Sequence, residues 1–396
     1  MDFKVTLKPR MWIAGFFGIA AVLLIMACMW TEKVDPFFHY HKPDTSSYYY
    51  AINNPRYQNN GILRNFDYKG LIIGTSMTEN FKTSEAKEIF GVEFVKTPFP
   101  GASLKEINDN VGFALSHNSN LEIVIRGIDM RVLMKEKDFM CDGWEDYPTY
   151  LFDDNPFNDM KYLLNRDVLF SRVYPMVQNT KESDFEPGIT SFDEYNNWMS
   201  SFEFGVNSVL PNGYDYGKTD VQQPGLTDEE KEIVLESARQ NITNLPKQYP
   251  DVEFYYFFTP YSALWWSEQM QSGSLRKQIE AERIVIEEVL SVENIKLFSI
   301  NNLVQITADL NNYKDELHYA SWINSLILKY MYKDICRLTR DNYRDYLTHE
   351  EYLYSTIDYY ATFNLQEDYE NDYYCESLMN EDIIYNCNGE VVNCSY

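Results

Sequence analysis

Three residues in this chain could do covalent chemistry together: a serine, a histidine and an aspartate. Ser76 follows the hydrophobic run Leu71-Ile72-Ile73-Gly74-Thr75, and Asp315 stands three residues before His318 late in the chain. A serine hydroxyl is a weak nucleophile at neutral pH; an imidazole steadied by a carboxylate is the base that activates it. The chain has five histidines. His39 and His41 follow an apolar N-terminal stretch, His117 sits in a polar Ser-His-Asn-Ser-Asn turn, and His349 lies in an acidic tail. Only His318 combines a late position, a nearby carboxylate and an aromatic neighbour, Tyr319. Ser76, Asp315 and His318 are therefore the candidate catalytic set.

Such remote positions need a scaffold to bring them together. Short apolar runs at 68–73, 92–95, 121–126, 252–258 and 295–300 read as strands, and helical patterns fill 84–90, 104–115, 227–248, 275–292 and 319–338. Five apolar strands alternating with helices predict an α/β protein with a parallel sheet covered on both faces. In such sheets the chemistry gathers beyond the carboxyl ends of the strands, where Ser76 and Asp129 both fall. Residues 131–224 break the rhythm and read as an insertion over the strand ends, either a lid or substrate wall or a structural cap.

Other candidates cluster near the same edge. Tyr261 and Trp265, in the aromatic run after the fourth strand, could stack on a sugar ring or simply cap the sheet. Arg126 and Arg131 could bind a carboxylate or phosphate, or pair with the abundant acids. Trp322 and Asn324 are expected to pack the loop that carries His318.

The rest of the sequence bounds where this chemistry happens. From Met11 to Trp30 there are twenty residues without a charge, which at about 1.5 Å per residue span about 30 Å of hydrocarbon. Lys4, Lys8 and Arg10 precede them, so residues 1–10 are expected to stay in the cytoplasm and the bulk of the chain outside the cell membrane, a single-pass signal anchor. Lipidation at Cys28 is the alternative, although Met26 fits a lipoprotein box poorly. Residues 31–66, rich in Tyr, His, Pro and Asn, read as an extended membrane-proximal wrap or stalk ahead of a domain over 67–338. Residues 339–396 form an acidic, tyrosine-rich extension expected to pack against that domain, in which Cys375, Cys387 and Cys394 could close one small loop. A formal charge of −26 makes nucleic acid a poor partner. No Cys-x-x-Cys or His-x-x-x-His pattern supports a metal, and nothing calls for a cofactor.

Gly74-Thr75-Ser76-Met77 resembles the first block of the SGNH/GDSL hydrolase superfamily, and Asp315-Glu316-Leu317-His318 its closing Asp-x-x-His block. Gly101 in Pro98-Phe99-Pro100-Gly101 matches the glycine block. Together with the anchor, these motifs are similar to the membrane-anchored branches of Gram-positive bacteria, the DltD-like D-alanyl transfer proteins and the polysaccharide O-acetyltransferases. The resemblance implies an SGNH-hydrolase-like (flavodoxin-like) three-layer α/β/α sandwich. It implies a serine esterase or O-acyltransferase acting on a cell-envelope glycan or teichoic-acid-like polymer, with a membrane acyltransferase as a partner. It also implies an oxyanion hole from the backbone of Ser76 and Gly101. The third block departs: Asp129 stands where the family supplies an asparagine side chain. An ionised carboxylate there would repel a developing oxyanion. That departure keeps open a non-catalytic envelope assembly or binding factor on the same fold.

Overall fold

The computed structural model describes residues 9–141, 147–215, 221–366, 384–385 and 391–392. Lys4, Lys8, Tyr373-Tyr374 and the cysteines expected to close a loop, Cys375, Cys387 and Cys394, lie outside the described residues. The chain divides into two compact units, one of residues 1–66 and 146–190, the other of 67–145 and 191–396.

In the first unit, helix α1 (Pro9–Val34) contains the apolar stretch; it is long enough to cross a membrane, with a mean hydropathy of 2.4 and its apolar window exposed. The helix ends where Asp35 turns to a positive φ of 45°. Its buried carboxylate accepts the backbone N–H groups of His39, Tyr40 and His41 and the hydroxyl of Tyr162 (2.7 Å). Burial pushes the Asp35 carboxyl up, although those donors oppose the shift. Asp159 takes His39 Nε2 at 3.2 Å and the Tyr40 hydroxyl at 3.1 Å. Residues 55–65, expected to be extended, form helix α2 (Pro55–Asn65) with proline in its first turn. Its buried residues run consecutively from Gln58 to Leu63, more than one full turn, so the helix is buried all round over that stretch. Three amides and a glycine among those six erase the apolar period by which a helix is read from sequence.

The second unit is built on a six-stranded sheet. Its strands are β1 (Gly70–Gly74), β2 (Phe94–Pro98), β3 (Ile123–Ile128), β4 (Glu253–Phe258), β5 (Ile295–Phe298) and β6 (Arg337–Leu338). The order is β2-β1-β3-β4-β5-β6. The first five are parallel, as their run of buried Val, Ile, Leu and Phe demands, and β6 joins β5 antiparallel. Helices α3 (Thr83–Phe90), α4 (Leu104–His117), α5 (Asp228–Ala238), α6 (Ala263–Ser272), α7 (Leu275–Val289), α8 (Ser321–Tyr332) and α9 (Tyr343–Thr356) accompany it. This is an α/β protein with a mostly parallel sheet flanked by helices.

Two details correct the sequence reading. The last helix of the 319–338 pattern stops at Tyr332, because Asp334 and Cys336 adopt positive φ of 56° and 55° and turn the chain back into β6. The segment after β4 is not only a rim: from Ala263 it is α6, with Trp265 and Trp266 buried and Trp266 stacked on Tyr354 of α9. The described start of the tyrosine-rich extension thus packs on the sheet domain.

A polar knot underlies that packing. Glu282 of α7 faces Glu350 of α9, both fully buried, and Glu350 also accepts the Tyr346 hydroxyl at 2.9 Å. Burial and mutual repulsion hold the Glu282 carboxyl well above its usual range. Above the ordinary glutamate value the unfolded chain has released a proton that the folded chain still holds, so folding must take one up and stability falls as pH rises. Glu282→Gln removes that requirement. It is expected to raise the melting temperature at pH 8, with the gain shrinking towards pH 4.5; a gain independent of pH in thermal melts would refute the proton uptake by Glu282.

Candidate active site

Ser76, Gly101, Asp129 and Tyr261 follow the carboxyl ends of β1, β2, β3 and β4, and Asp315 and His318 share the segment after β5. After β1, the chain turns at Gly74, where a Cβ would meet Thr78 Cγ2 at 2.5 Å, so only glycine lets the strand lie against the following turn. Thr75 then caps a short 3₁₀ turn, Ser76–Thr78, its hydroxyl accepting from Met77 N. Two further bonds tie that turn down: Met77 O accepts the Tyr319 hydroxyl at 3.0 Å and Asn324 Nδ2 at 3.1 Å. The packing role expected of Asn324 is therefore direct, whereas Trp322 bonds Asn312 at 2.8 Å.

The loop after β5 carries the base. Tyr313 and Tyr319 form an antiparallel bridge, and between them the Asp315 carboxylate accepts the backbone N–H groups of Leu317 (2.9 Å) and His318 (2.8 Å). The same carboxylate lies 2.8 Å from His318 Nδ1, and His318 Nε2 lies 2.8 Å from Ser76 Oγ. Burial raises the Asp315 carboxyl, but the ring and backbone donors outweigh it and hold it below the usual range. An ionised Asp315 fixes Nδ1 as the protonated nitrogen and leaves Nε2 to accept from the serine. Trp198 stands edge-on to the imidazole, ring centroids 5.8 Å apart, and Lys314 Nζ sits 4.0 Å over the same indole.

These groups open on a cavity of about 320 Å³ lined by Thr75, Ser76, Gly101, Asp129, Arg131, Lys135, Tyr261 and His318 among others. Gly101 adopts a φ of +71° in the turn after β2, a conformation that leaves its backbone at the cavity wall at little cost. Asp129, next after β3, is buried; its Oδ1 accepts the Tyr261 hydroxyl at 2.8 Å and the Thr259 hydroxyl at 3.3 Å. Burial drives its carboxyl upward against the donors Thr75, Tyr261 and Thr259.

Two of the expected binding residues are elsewhere. Arg126 is fully buried and does not line the cavity: its guanidinium donates to Asn241 O (2.7 Å) and Leu104 O (3.2 Å). The cause is Pro246, which has no N–H to give to the carbonyls one turn earlier, in the π-turn that continues α5. Arg126 satisfies Asn241 O and its cross-strand partner Tyr256 satisfies Ile242 O at 3.2 Å. Trp265 is likewise buried, packed edge-on against Tyr261 at 5.0 Å, and Tyr261 alone of the pair reaches the cavity.

Sequence reasoning passed over Lys96 and Glu79. Lys96, in the middle of β2, is fully buried and its Nζ donates to Glu79 O and Phe81 O, the carbonyls that follow the Ser76 turn. Burial brings the Lys96 amine down to about 7 and pushes Glu79, whose Oε1 accepts from Asn196 at 3.0 Å, up to about 7. A lysine inside the apolar strand Phe94-Val95-Lys96-Thr97-Pro98 was the available signal. Lys96→Met strands both carbonyls and is expected to cost about 1–3 kcal/mol. Urea unfolding would read it as a lower midpoint, and an unchanged midpoint would mean the carbonyls find other donors.

Fold and cluster define the class: an α/β protein with a serine, histidine and aspartate in hydrogen-bonded series at the carboxyl edge of its sheet, and a membrane-length helix at its N-terminus. No protein-family model matches the chain, and no curated protein does. Among solved structures the chain has a distant likeness to one described as "a putative platelet activating factor from Streptococcus pneumonia", at 12% identity and a TM-score of 0.35, over 71% of this chain and 90% of that one. A likeness this slight carries no weight beside the geometry.

Proposed function

We propose that this protein is a serine-dependent acyl esterase or O-acyltransferase of the SGNH type. On this reading it is held in the cell membrane by α1, with the bulk of the chain extracytoplasmic, and acts on a cell-envelope polysaccharide or teichoic-acid-like polymer. The observation that carries the reading is the 2.8 Å approach of Ser76 Oγ to His318 Nε2, with Asp315 on the opposite ring nitrogen.

The chemistry is a double displacement. His318 Nε2 takes the serine proton as Oγ bonds to the acyl carbon, and Asp315 stabilises the imidazolium that results. The backbone N–H groups of Ser76 and Gly101 donate to the carbonyl oxygen as it gains charge. When the intermediate collapses, the bond from the acyl carbon to the leaving oxygen breaks, and that oxygen takes the proton back from His318. Water or a sugar hydroxyl then repeats the sequence in reverse on the acyl-enzyme, giving hydrolysis or transfer. A cavity of about 320 Å³ is at the small end for ligand sites and suits a short acyl group beside one sugar unit. Tyr261 offers a ring, and Arg131 and Lys135 offer cations to an anionic polymer. A membrane acyltransferase would supply an activated acyl donor, because one helix cannot carry acyl groups across a bilayer.

A fluorophosphonate probe tests the reading on the full chain in detergent. Labelling is expected at Ser76, to vanish in Ser76→Ala and to slow by about 10³-fold or more in His318→Ala and in Asp315→Asn, which leaves the imidazole in the wrong tautomer. Equal labelling of the parent and Ser76→Ala, located by peptide mapping at another residue, would overturn it.

A further inference from the structure

We infer that the segment from Phe157 to Tyr174 is a second membrane contact, seating Phe157, Met160, Phe170 and Tyr174 in the lipid interface of the bilayer that α1 crosses. The inference rests on the reading of α1 as the membrane anchor and is independent of the acyl chemistry. Apolar side chains this exposed are unusual in so short a stretch of a folded unit: Phe157 is 87% exposed, Phe170 68%, and Met160 and Tyr174 47% each. The other face of the segment is fully used. Val168 and Val173 of the helical run 166–179 pack with Val34 and Phe37 at the end of α1, and Phe170 and Tyr174, four residues apart, are left on the outside. A helix that is apolar on both faces has one face in protein and needs a second apolar phase for the other.

Helix α1 fixes the height of that segment above the bilayer. The uncharged stretch ends at Trp30, and the next residue, Thr31, is buried and donates its hydroxyl to Leu163 O at 3.0 Å. The helical turn Met160–Leu163 and the turn Leu169–Val173 both pack on α1, whose Ala27 and Cys28 are half-buried while residues 21–26 are exposed. The body of the first unit therefore begins beside the last turn of the apolar stretch, about 4.5 Å below Trp30 along the helix axis. The headgroup layer on each side of the hydrocarbon is about 5–7 Å thick, and a helix with its side chains is about 10 Å across. A helix resting at the level of Thr31 thus does not clear that layer, whichever way it runs around α1.

Charge decides which property of the bilayer the segment meets. Asp153, Asp154 and Asp167 are interspersed with Lys161, Arg166 and Arg172, so the segment does not select anionic lipid. Contact comes from its apolar and aromatic side chains, which suit the boundary between acyl chain and headgroup. A single helix leaves the first unit free to swivel about the helix axis; a second contact holds one side of it down. An apolar helix of a partner protein is the competing occupant of this face, and vesicles that hold this chain alone leave lipid as the occupant on offer.

The test is photo-crosslinking of the full chain in phosphatidylcholine vesicles whose lipid carries a diazirine at the headgroup end of one acyl chain, read by peptide mapping. Crosslinks are expected in α1 and in the peptides that hold Phe157, Met160, Phe170 and Tyr174. In the double variant Phe157→Ser, Phe170→Ser those in 157–174 are expected to fall at least about 5-fold while those in α1 stay. Both side chains are exposed, so the variant is expected to melt as the parent does. Crosslinks confined to α1 in the parent, or crosslinks in 157–174 that the double variant leaves unchanged, would overturn the inference while leaving the anchor intact. So would a parent that crosslinks at 157–174 only when anionic lipid is added. Absence of crosslinks in α1 as well would overturn the inference and the anchor together.

Discussion

Every buried carbonyl in a sheet covered on both faces must find a donor, and in this protein that requirement decides which cations face solvent and which do not. Two basic residues, on the strands either side of β1, are spent on it. Lys96 of β2 holds the carbonyls that follow the Ser76 turn, and Arg126 of β3 holds the carbonyl left over by Pro246. The first fixes the end of the turn that presents the serine; the second lets α5 continue through a π-turn onto the sheet. Without such donors the strand ends could not be so closely packed, because an unsatisfied buried carbonyl costs about 1–3 kcal/mol.

The same economy of donors separates the two aspartates at the site. Asp315 receives two backbone N–H groups and a ring N–H, and its carboxyl is drawn down. Asp129 receives hydroxyls from inside the protein, and burial draws its carboxyl up. The two identical carboxyls of one cluster are thereby shifted in opposite directions, because the donors outweigh burial at Asp315 and burial outweighs them at Asp129. At the buried Glu282–Glu350 pair, between α7 and α9, burial and the neighbouring carboxyl likewise push Glu282 upward.

Much of this was legible in the chain. The strands fall within two or three residues of their apolar runs, and the parallel order follows from strands that are apolar on both faces. The pairing of Ser76 with His318 and Asp315 was readable because Ser76 lies just past a strand and the other two form an Asp-x-x-His pair in the segment that follows the fifth strand, and a parallel sheet gathers such segments at one edge. The failures have one character. Helix α2 buries Gln58, Asn59 and Asn60 alongside Ile62 and Leu63, so it shows no apolar period. Arg126 and Trp265 stand near the functional edge in sequence, yet a side chain's direction depends on strand pleat and on what packs above it.

The sequence by itself determined the five parallel strands, the membrane-length helix and the residue types of the catalytic candidates, because hydrophobic period and strand-end position are local properties. Only the tertiary structure decided which cations are left at the cavity, Arg131 and Lys135 rather than Arg126 and Lys96, and that Asp129 stands buried at its wall. Exposure and hydrogen bonding are set by neighbours brought from distant parts of the chain, Tyr261 and Thr259 for Asp129, Asn241 for Arg126. No local pattern encodes such neighbours; they exist only once the strands have paired.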